Sequence, residues 1–257
     1  MQYKKVLVER TELVGVIRLN DPERLNATTY ELLEELDSAF TELAASARAI
    51  VVTGAGRAFC AGGDLDSLKR NESDVGRGLE SHVNPLLSKL RGLAVPWITS
   101  VRGAAVGLGC ALALAADLII ASENAYFTQG FSRIGLVPDG GSTYLLTRGL
   151  TRARAMEMML LGDKVPAQKA LEWGLINRVV PDELLEETSR EIALRLAGGP
   201  TAALRSTRRS VWDALDSTWE PALRAEREAQ RSAGLTADFR EGLASLLEKR
   251  APRFKGS

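Results

Sequence analysis

Two glycine-rich turns, each placed between a short apolar run and a helical stretch, constrain the fold more than any other feature of the sequence. The first, Phe59-Cys-Ala-Gly-Gly-Asp64, follows the apolar run at residues 49–52, and the second, Val106-Gly-Leu-Gly109, follows the run at residues 96–101. Short apolar runs that end in glycine turns are typical of buried strands. The sequence therefore predicts an α/β fold in which buried strands lead through glycine turns into helices.

The rest of the chain fits this organisation. A hairpin is predicted over residues 6–19, a loop over 21–26, a further strand at 118–121 and a loop at 69–80, with helices in the following places: from Thr29, then 83–90, 108–116, 142–146, 153–161, 167–173 and 184–196. Gly198-Gly-Pro200 breaks the pattern, and helical, charge-rich sequence continues from there to about residue 249. We therefore divide the chain into an α/β core at residues 1–197, which holds the site, and a helical region at residues 198–257.

The two turns also indicate a chemistry. Adjacent glycines let a backbone pass close to a ligand, and the first amides of a helix are free and carry partial positive charge. The helix after the second turn is apolar on all sides, which predicts a buried helix whose N-terminus lies inside the protein. Two such ends can donate two amide hydrogens to one oxygen, as the enolate of a thioester requires. Ordinary tight turns remain the alternative for either motif alone.

Composition excludes several other classes of function. The chain of 257 residues has one histidine and two cysteines, too few and too scattered for a metal site. A Ser-His-Asp triad could use only His82, which has no Gly-x-Ser-x-Gly motif near it. Its formal net charge of +0 gives no general field for nucleic acid or an anionic membrane. A dinucleotide site is disfavoured because Leu112 stands where the third glycine of that fingerprint belongs. No signal-peptide pattern occurs at residues 1–13, so we expect a cytoplasmic protein.

In combination, four motifs resemble the enoyl-CoA hydratase/isomerase (crotonase) family. They are Arg57-Ala-Phe-Cys-Ala-Gly-Gly-Asp-Leu65, Val101-Arg-Gly-Ala-Ala-Val-Gly-Leu-Gly-Cys110 with Asp117, Gly135-Leu-Val-Pro-Asp-Gly-Gly-Ser-Thr143, and Gly174-Leu-Ile-Asn-Arg-Val-Val180. The resemblance implies a crotonase-like spiral of ββα units with a C-terminal helical trimerisation region. It also implies a homotrimer or a dimer of trimers that binds an acyl-CoA thioester, with no cofactor other than the coenzyme A of the substrate.

The resemblance further implies roles for particular residues. The two oxyanion amides fall on Gly63 and Leu108, where the second position is more commonly glycine. Arg24 lies in a loop that often carries a basic residue near the nucleotide end of coenzyme A, although an exposed surface arginine is an equal alternative. Asp64 is an acyl-CoA contact or, by the stronger local argument, a helix N-cap. The other acyl-CoA contacts that we expect are Ala61, Gly62, Leu65, Gly109, Phe131, Phe254 and Lys255.

In the family that this chain resembles, the positions of the catalytic carboxylates distinguish one reaction from another. Members of the family that hydrate double bonds use two glutamates, and the corresponding positions here are Ala111 and Phe131. The carboxylate that remains in this region is Asp139, whose apolar and small neighbours predict burial and a raised pKa. Isomerases of the family, including those acting on ring-epoxide phenylacetyl-CoA, carry an aspartate in a similar context. A helix N-cap before Ser142 is the alternative role for Asp139.

These observations predict an acyl-CoA isomerase that moves a double bond or opens a ring epoxide, with Asp139 as acid and base. Enoyl-CoA hydratase, acyl-CoA lyase or dehalogenase chemistry on the same fold is the first alternative. The other alternative is an RNA-binding relative, which the zero net charge disfavours.

Overall fold

Ten strands form two sheets in the computed structural model, which describes residues 3–11, 13–70 and 74–257. In the part of the chain so described, the strands are β1 (Val6–Arg10), β2 (Val14–Leu19), β3 (Ala49–Gly54), β4 (Ala58–Cys60), β5 (Trp97–Val101), β6 (Ala104–Val106), β7 (Leu118–Ser122), β8 (Tyr126–Thr128), β9 (Val165–Pro166) and β10 (Arg178–Val180). The larger sheet has the order β1-β2-β3-β5-β7-β10 and the smaller one the order β4-β6-β8-β9. All the strands that the sequence predicts are present, and the antiparallel pairing of β1 with β2 confirms the hairpin. Residue 12, in the predicted hairpin turn, lies outside the described residues.

Successive pairs of strands along the chain contribute one strand to each sheet. The pairs β3–β4, β5–β6 and β7–β8 each give their first strand to the larger sheet and their second to the smaller one. Within each sheet these strands are parallel neighbours. Each pair is followed by helix, so the chain advances one turn at a time, as the predicted spiral of ββα units requires. This arrangement places the ends of β4, β6 and β8 side by side.

Twelve α-helical segments lie in the described residues. They are α1 (Tyr30–Ala44), α2 (Leu65–Arg70), α3 (Gly76–Gly78), α4 (Asn84–Arg91), α5 (Leu108–Leu114), α6 (Ser142–Gly149), α7 (Arg152–Leu161), α8 (Ala167–Glu172), α9 (Leu185–Ala197), α10 (Thr201–Ala214), α11 (Trp219–Gly234) and α12 (Ala237–Leu247). The side-chain oxygen of Thr29 accepts a hydrogen bond from the amide of Leu32 and caps α1, the helix that the sequence predicts from Thr29. Among the described residues no helix is long and apolar enough to cross a membrane.

The loop predicted over residues 69–80 is wrong in part. Helix α2 continues to Arg70, and residues 76–83 are helical, with a π-helical turn at Leu79–Val83. Residues 71–73 lie outside the described residues. The polar composition suggested a loop, but packing against α1 holds the second half as helix. The ring of His82 stacks on that of Tyr30 with centroids 4.4 Å apart, and the π-turn buries Val83.

Alternation along the central strand divides the core into two layers. Every residue of β3 is buried, with Ile50 and Val52 in the layer that contains α1 and Ala49 and Val51 in the layer that contains α9. Such a strand is covered on both faces and reads as a continuous apolar run. Helix α9 packs against β3 and β5 and closes the second layer.

A buried ion pair ties the C-terminal helices to the core. The guanidinium of Arg208 in α10 lies 2.6 Å from the carboxylate of Asp117, which also accepts a hydrogen bond from the amide of Trp97. The same guanidinium donates to the carbonyls of Leu90 and Leu93. Burial raises the pKa of Asp117, and the cation of Arg208 opposes that rise. Each charge of this pair therefore offsets the cost of burying the other.

We expect Arg208→Ala to lower the free energy of unfolding by about 3–5 kcal/mol, because it leaves the carboxylate of Asp117 buried and unpaired. Chemical denaturation followed by circular dichroism measures the change. The matched control is Arg209→Ala, which removes an exposed pair with Asp213 and should cost less than about 1 kcal/mol. Equal losses in the two variants would contradict the role given to Arg208.

Candidate active site

The first glycine turn leaves β4 and is pinned to the loop that precedes α1. The amide of Thr28 donates to the carbonyl of Gly62 at 2.7 Å, and the amide of Asp64 donates to the carbonyl of Thr28 at 3.2 Å. Between these bonds the amide of Gly63 has no backbone partner among the described residues. The turn thus holds one unpaired donor between two fixed neighbours.

Gly62 brings the first turn onto the second. Its backbone has a φ of +87°, and a Cβ at this position would lie 2.5 Å from the carbonyl oxygen of Val106 and 3.5 Å from the amide nitrogen of Leu108. A side chain is therefore excluded both by conformation and by the rigid backbone it would meet. The amides predicted at Gly63 and Leu108 come from turns that touch each other.

The second turn opens helix α5 without a capping side chain. Gly107, with a φ of +53°, is the N-cap residue, and no side-chain oxygen caps the helix. Its carbonyl accepts from the amide of Ala111 at 3.0 Å, which begins the helical ladder one turn later. The amide of Leu108 therefore belongs to the set that a helix leaves without an internal partner. All of α5 is buried, as the apolar sequence predicts.

A third turn, at Asp139, packs against the second. A Cβ on Gly140 would lie 2.6 Å from Cδ1 of Leu108 and 3.0 Å from Cβ of Ala111. A Cβ on Gly107 would lie 3.4 Å from the ring of Phe131. The fold thus gathers Leu108, Ala111, Phe131 and the segment that carries Asp139 into one region.

Asp139 is half-buried, and one oxygen of its carboxyl group is buried without a partner among the described residues. Its Oδ1 atom is inaccessible to solvent and has no hydrogen-bond partner among the described residues. Burial raises the pKa of Asp139 from 3.8 to about 6, and it is the one cause of the rise. A carboxyl group with such a pKa is suited to exchanging protons near neutral pH.

The structure rejects the alternative role of Asp139 as a helix cap. The N-cap residue of α6 is Gly141, and no side chain provides a capping hydrogen bond. The carbonyl of Asp139, and not its carboxylate, accepts the amide of Ser142 at 2.9 Å. Ala111 and Phe131, the two positions that correspond to the glutamates of hydrating family members, are both buried and apolar.

Asp64 acts as an N-cap, as the stronger local argument predicts. Its Oδ2 accepts from the amide of Ser67 at 3.0 Å and from the hydroxyl of Ser67 at 2.7 Å, while its Oδ1 accepts from the guanidinium of Arg24. Arg24 also reaches the carboxylate of Asp66 at 3.2 Å. Both oxygens of Asp64 are therefore occupied by its own chain. Arg24 remains half-exposed beside the first turn, and Leu65 is exposed.

The C-terminal tail is held by hydrogen bonds to other parts of its own chain. The amide of Lys255 donates to Oδ1 of Asp238 at 2.7 Å, and the carbonyl of Phe254 accepts from Arg48 at 3.2 Å. The ring of Phe254 packs beside Gly242 of α12. These bonds place the tail on the helical region of its own chain.

Both thiols are buried core groups. Burial raises the pKa of Cys60 and of Cys110 to about 12, which keeps both thiols protonated and unreactive. Among the described residues no cluster of His, Cys, Asp or Glu side chains forms a metal site.

One organising residue escaped the sequence reasoning. Asn26 is fully buried in a left-handed conformation, with a φ of 57°. Its side-chain amide donates to the carbonyls of Ala55, Ala58 and Phe59, and its Oδ1 accepts from the amide of Asp21. It thereby fixes the strand that leads into the first turn. The signal was an asparagine in a loop, the residue type that most readily adopts this conformation after glycine.

Comparison with known proteins agrees with this arrangement. The sequence model of the enoyl-CoA hydratase/isomerase family matches residues 9–257. The chain is 41% identical over 249 residues to the 1,2-epoxyphenylacetyl-CoA isomerase of Escherichia coli, covering 95% of each chain. It is also 41% identical over 256 residues to a probable enoyl-CoA hydratase of Rhodobacter capsulatus, covering 100% of each. The crystal structure of an enoyl-CoA hydratase from Bacillus anthracis superposes with a TM-score of 0.94 at 33% identity, over 99% of this chain and 100% of that one.

The chain belongs to the enoyl-CoA hydratase/isomerase family, and its fold is the crotonase fold.

We expect Gly62→Ala to lower the free energy of unfolding by at least about 3 kcal/mol, because the added methyl group meets the carbonyl of Val106 as well as an unfavourable φ. Denaturant titration measures the loss. Gly174→Ala is the matched control, since Gly174 has a φ of +76° and open space around its Cβ position. That control should cost only about 1–2 kcal/mol, and an equal cost for both variants would contradict the contact between the turns.

We expect Asp139→Asn to stabilise the protein at pH 8. Because the native pKa of about 6 lies above the ordinary value of 3.8, the folded state binds this proton more tightly than the unfolded chain. Wild-type stability therefore falls as pH rises from about 4 to about 6, by about 2 kcal/mol after allowance for residual solvent contact. Denaturation at pH 4 and pH 8 tests this: the variant's advantage should appear only at the higher pH, and an advantage that does not depend on pH would contradict it.

Proposed function

We propose that this protein is an acyl-CoA isomerase that uses Asp139 as a single acid and base. The observation that carries the proposal is the uncompensated carboxyl group of Asp139 in a region where Ala111 and Phe131 offer no second carboxylate. Adding water to a double bond needs one group to activate water and one to deliver a proton. Moving a double bond needs only one group, since the proton removed from one carbon returns to another.

The amides of Gly63 and Leu108 are the proposed donors to the thioester oxygen. They lie on two turns in contact through Gly62, and neither amide has a backbone partner among the described residues. As a proton leaves the carbon next to the thioester, negative charge moves onto that oxygen, where two fixed amides stabilise it without reorganisation. The side chain of Leu108 adds bulk on the acyl side of this pair.

Asp139 then carries the proton. Its carboxylate removes the acidic proton near the thioester to give a dienolate and returns it further along the acyl chain. With a ring epoxide, the electron pair of the enolate forms a new carbon–carbon double bond as a C–O bond of the epoxide breaks, and the alkoxide so formed takes the proton back from Asp139. The raised pKa makes the carboxylate a stronger base than an exposed aspartate while leaving it ionised at neutral pH. No metal or nicotinamide takes part in the proposed reaction, and coenzyme A enters only as part of the substrate.

Two relatives support the two candidate reactions. The relative named 1,2-epoxyphenylacetyl-CoA isomerase supports a ring-derived acyl group, and the loss of both hydratase carboxylates supports isomerisation. The relative named probable enoyl-CoA hydratase keeps hydration as the second candidate. A homotrimer, or a dimer of trimers, and a cytoplasmic location complete the proposal by analogy with the family.

The test offers the purified protein 3-enoyl-CoA and ring-epoxide phenylacetyl-CoA and follows absorbance and product mass. We expect a product of unchanged mass from one of the two substrates, while a gain of one water would identify a hydratase. Asp139→Asn should lower kcat by at least about 100-fold while acyl-CoA binding persists. Asp213→Asn, at an exposed surface position, should leave turnover unchanged.

The pH profile gives a second readout in the same assay. Because the base must be ionised, kcat/KM of the wild type should rise with pH through about 6 and then level off. Near-normal turnover by Asp139→Asn would overturn the assignment of the base.

A further inference from the structure

Asp139 and Ser142 are the two ends of one tight turn. The amide of Ser142 donates to the carbonyl of Asp139 at 2.9 Å, and between them Gly140 and Gly141 have φ angles of +59° and +75°. Two positive φ values in succession define a type I′ turn, which holds the Cα atoms of its first and fourth residues within about 7 Å. The turn therefore brings the backbone of Ser142 close to that of Asp139.

Both ends of this turn carry a buried oxygen without a partner. Ser142 is fully buried, and its Oγ has no hydrogen-bond partner among the described residues, as is the case for Oδ1 of Asp139. An unsatisfied buried hydroxyl weakens a fold, so its presence calls for a reason. Ser142 is the first residue of α6 but does not cap that helix, whose N-cap is Gly141.

The side chains that pack against the turn at Gly140 are apolar. At Gly140, helix α4 contributes the methyl group of Leu87, and helix α5 contributes the side chains of Leu108 and Ala111. No charged or titratable group of the described residues takes part in the shift of the Asp139 pKa, which burial alone causes. A hydroxyl on the same turn is therefore the donor best placed for this carboxylate.

We propose that Ser142 is a positioning residue whose hydroxyl donates a hydrogen bond to the ionised carboxylate of Asp139. A rotation about the Cα–Cβ bond of Ser142 redirects its hydroxyl, because serine has three staggered rotamers. A hydroxyl also accepts, so the same group receives a hydrogen bond from Asp139 once the carboxyl group is protonated. The proton of Ser142 stays on its own oxygen throughout, and the proton that Asp139 takes from the substrate is the one it returns.

This role matches what the proposed function demands of Asp139, on which it rests. A base that takes and returns one proton passes through both its charged and its neutral form in each turnover. A hydroxyl serves both forms, whereas a lysine or arginine would favour only the charged form and make Asp139 a weaker base.

The experiment measures the ionisation of Asp139 directly, by NMR of protein that carries isotope-labelled aspartate, with Asp139→Asn to assign the signal. Ser142→Ala removes only the hydroxyl. We expect the proton affinity of Asp139 to rise by about tenfold, because the hydrogen bond that the charged form loses is stronger than the one that the neutral form loses. The rising limb of the pH profile of kcat/KM should move to higher pH by the same factor.

Ser122→Ala is the matched control. Ser122 is also fully buried and its Oγ is also unpartnered, but it lies in strand β7 of the larger sheet. This variant should leave the titration of Asp139 and the pH profile unchanged. A titration of Asp139 that is identical in wild type and Ser142→Ala would overturn the inference, as would an equal shift in both variants.

Failure of the role of Ser142 can be distinguished from failure of the catalytic role of Asp139. If Asp139→Asn retained turnover while Ser142→Ala still shifted the titration, the catalytic assignment would fail and the hydrogen bond would stand. If Asp139→Asn lost turnover while Ser142→Ala left the titration unchanged, only the role of Ser142 would fail.

Discussion

The close approach of three backbone turns is the constraint on which the rest of the site depends. Gly62 lies against the carbonyl of Val106, and Gly140 lies against Leu108 and Ala111, at separations that leave no space for a side chain. Because glycine is especially flexible in the unfolded chain, fixing it at these points costs conformational entropy on folding. In return, unpaired amides from two turns and a carboxyl group from a third come to share one region. The parallel strands β4, β6 and β8 make this possible, because their ends lie side by side at one edge of the smaller sheet.

Burial of Asp139 shows how such a region acquires reactivity. Among the described residues nothing pairs with its buried Oδ1, and burial raises the pKa of the carboxyl group to about 6. Asp117 is the useful contrast within the same chain. It is also buried, but Arg208 pairs with it, and that pair fastens α10 to the core. Asp117 therefore contributes to stability through its cationic partner, while Asp139, with no such cation among the described residues, keeps a proton affinity suited to chemistry.

The sequence predicted the scaffold well because its signals are local. Apolar runs such as residues 49–52, the helical spacing after Thr29 and the glycine turns each depend on a few neighbouring residues, and the structure confirms the strand, the helix and the turns. The loop predicted over residues 69–80 was wrong in part because its second half is held as helix by Tyr30, a residue distant in the chain. Asn26 was missed for a similar reason, since the three carbonyls that it binds lie about 30 positions further along the chain.

By itself, the sequence determined the α/β class, the positions of the glycine turns and the absence of carboxylates at Ala111 and Phe131. Composition and local pattern suffice for these, because they are properties of residue type and spacing. Only the tertiary structure decided between the two roles of Asp139 and between the two roles of Asp64. One carboxylate is buried without a hydrogen bond and the other caps a helix, although both precede a helix in the sequence. That difference arises from what each side chain packs against, which the order of residues along the chain does not contain.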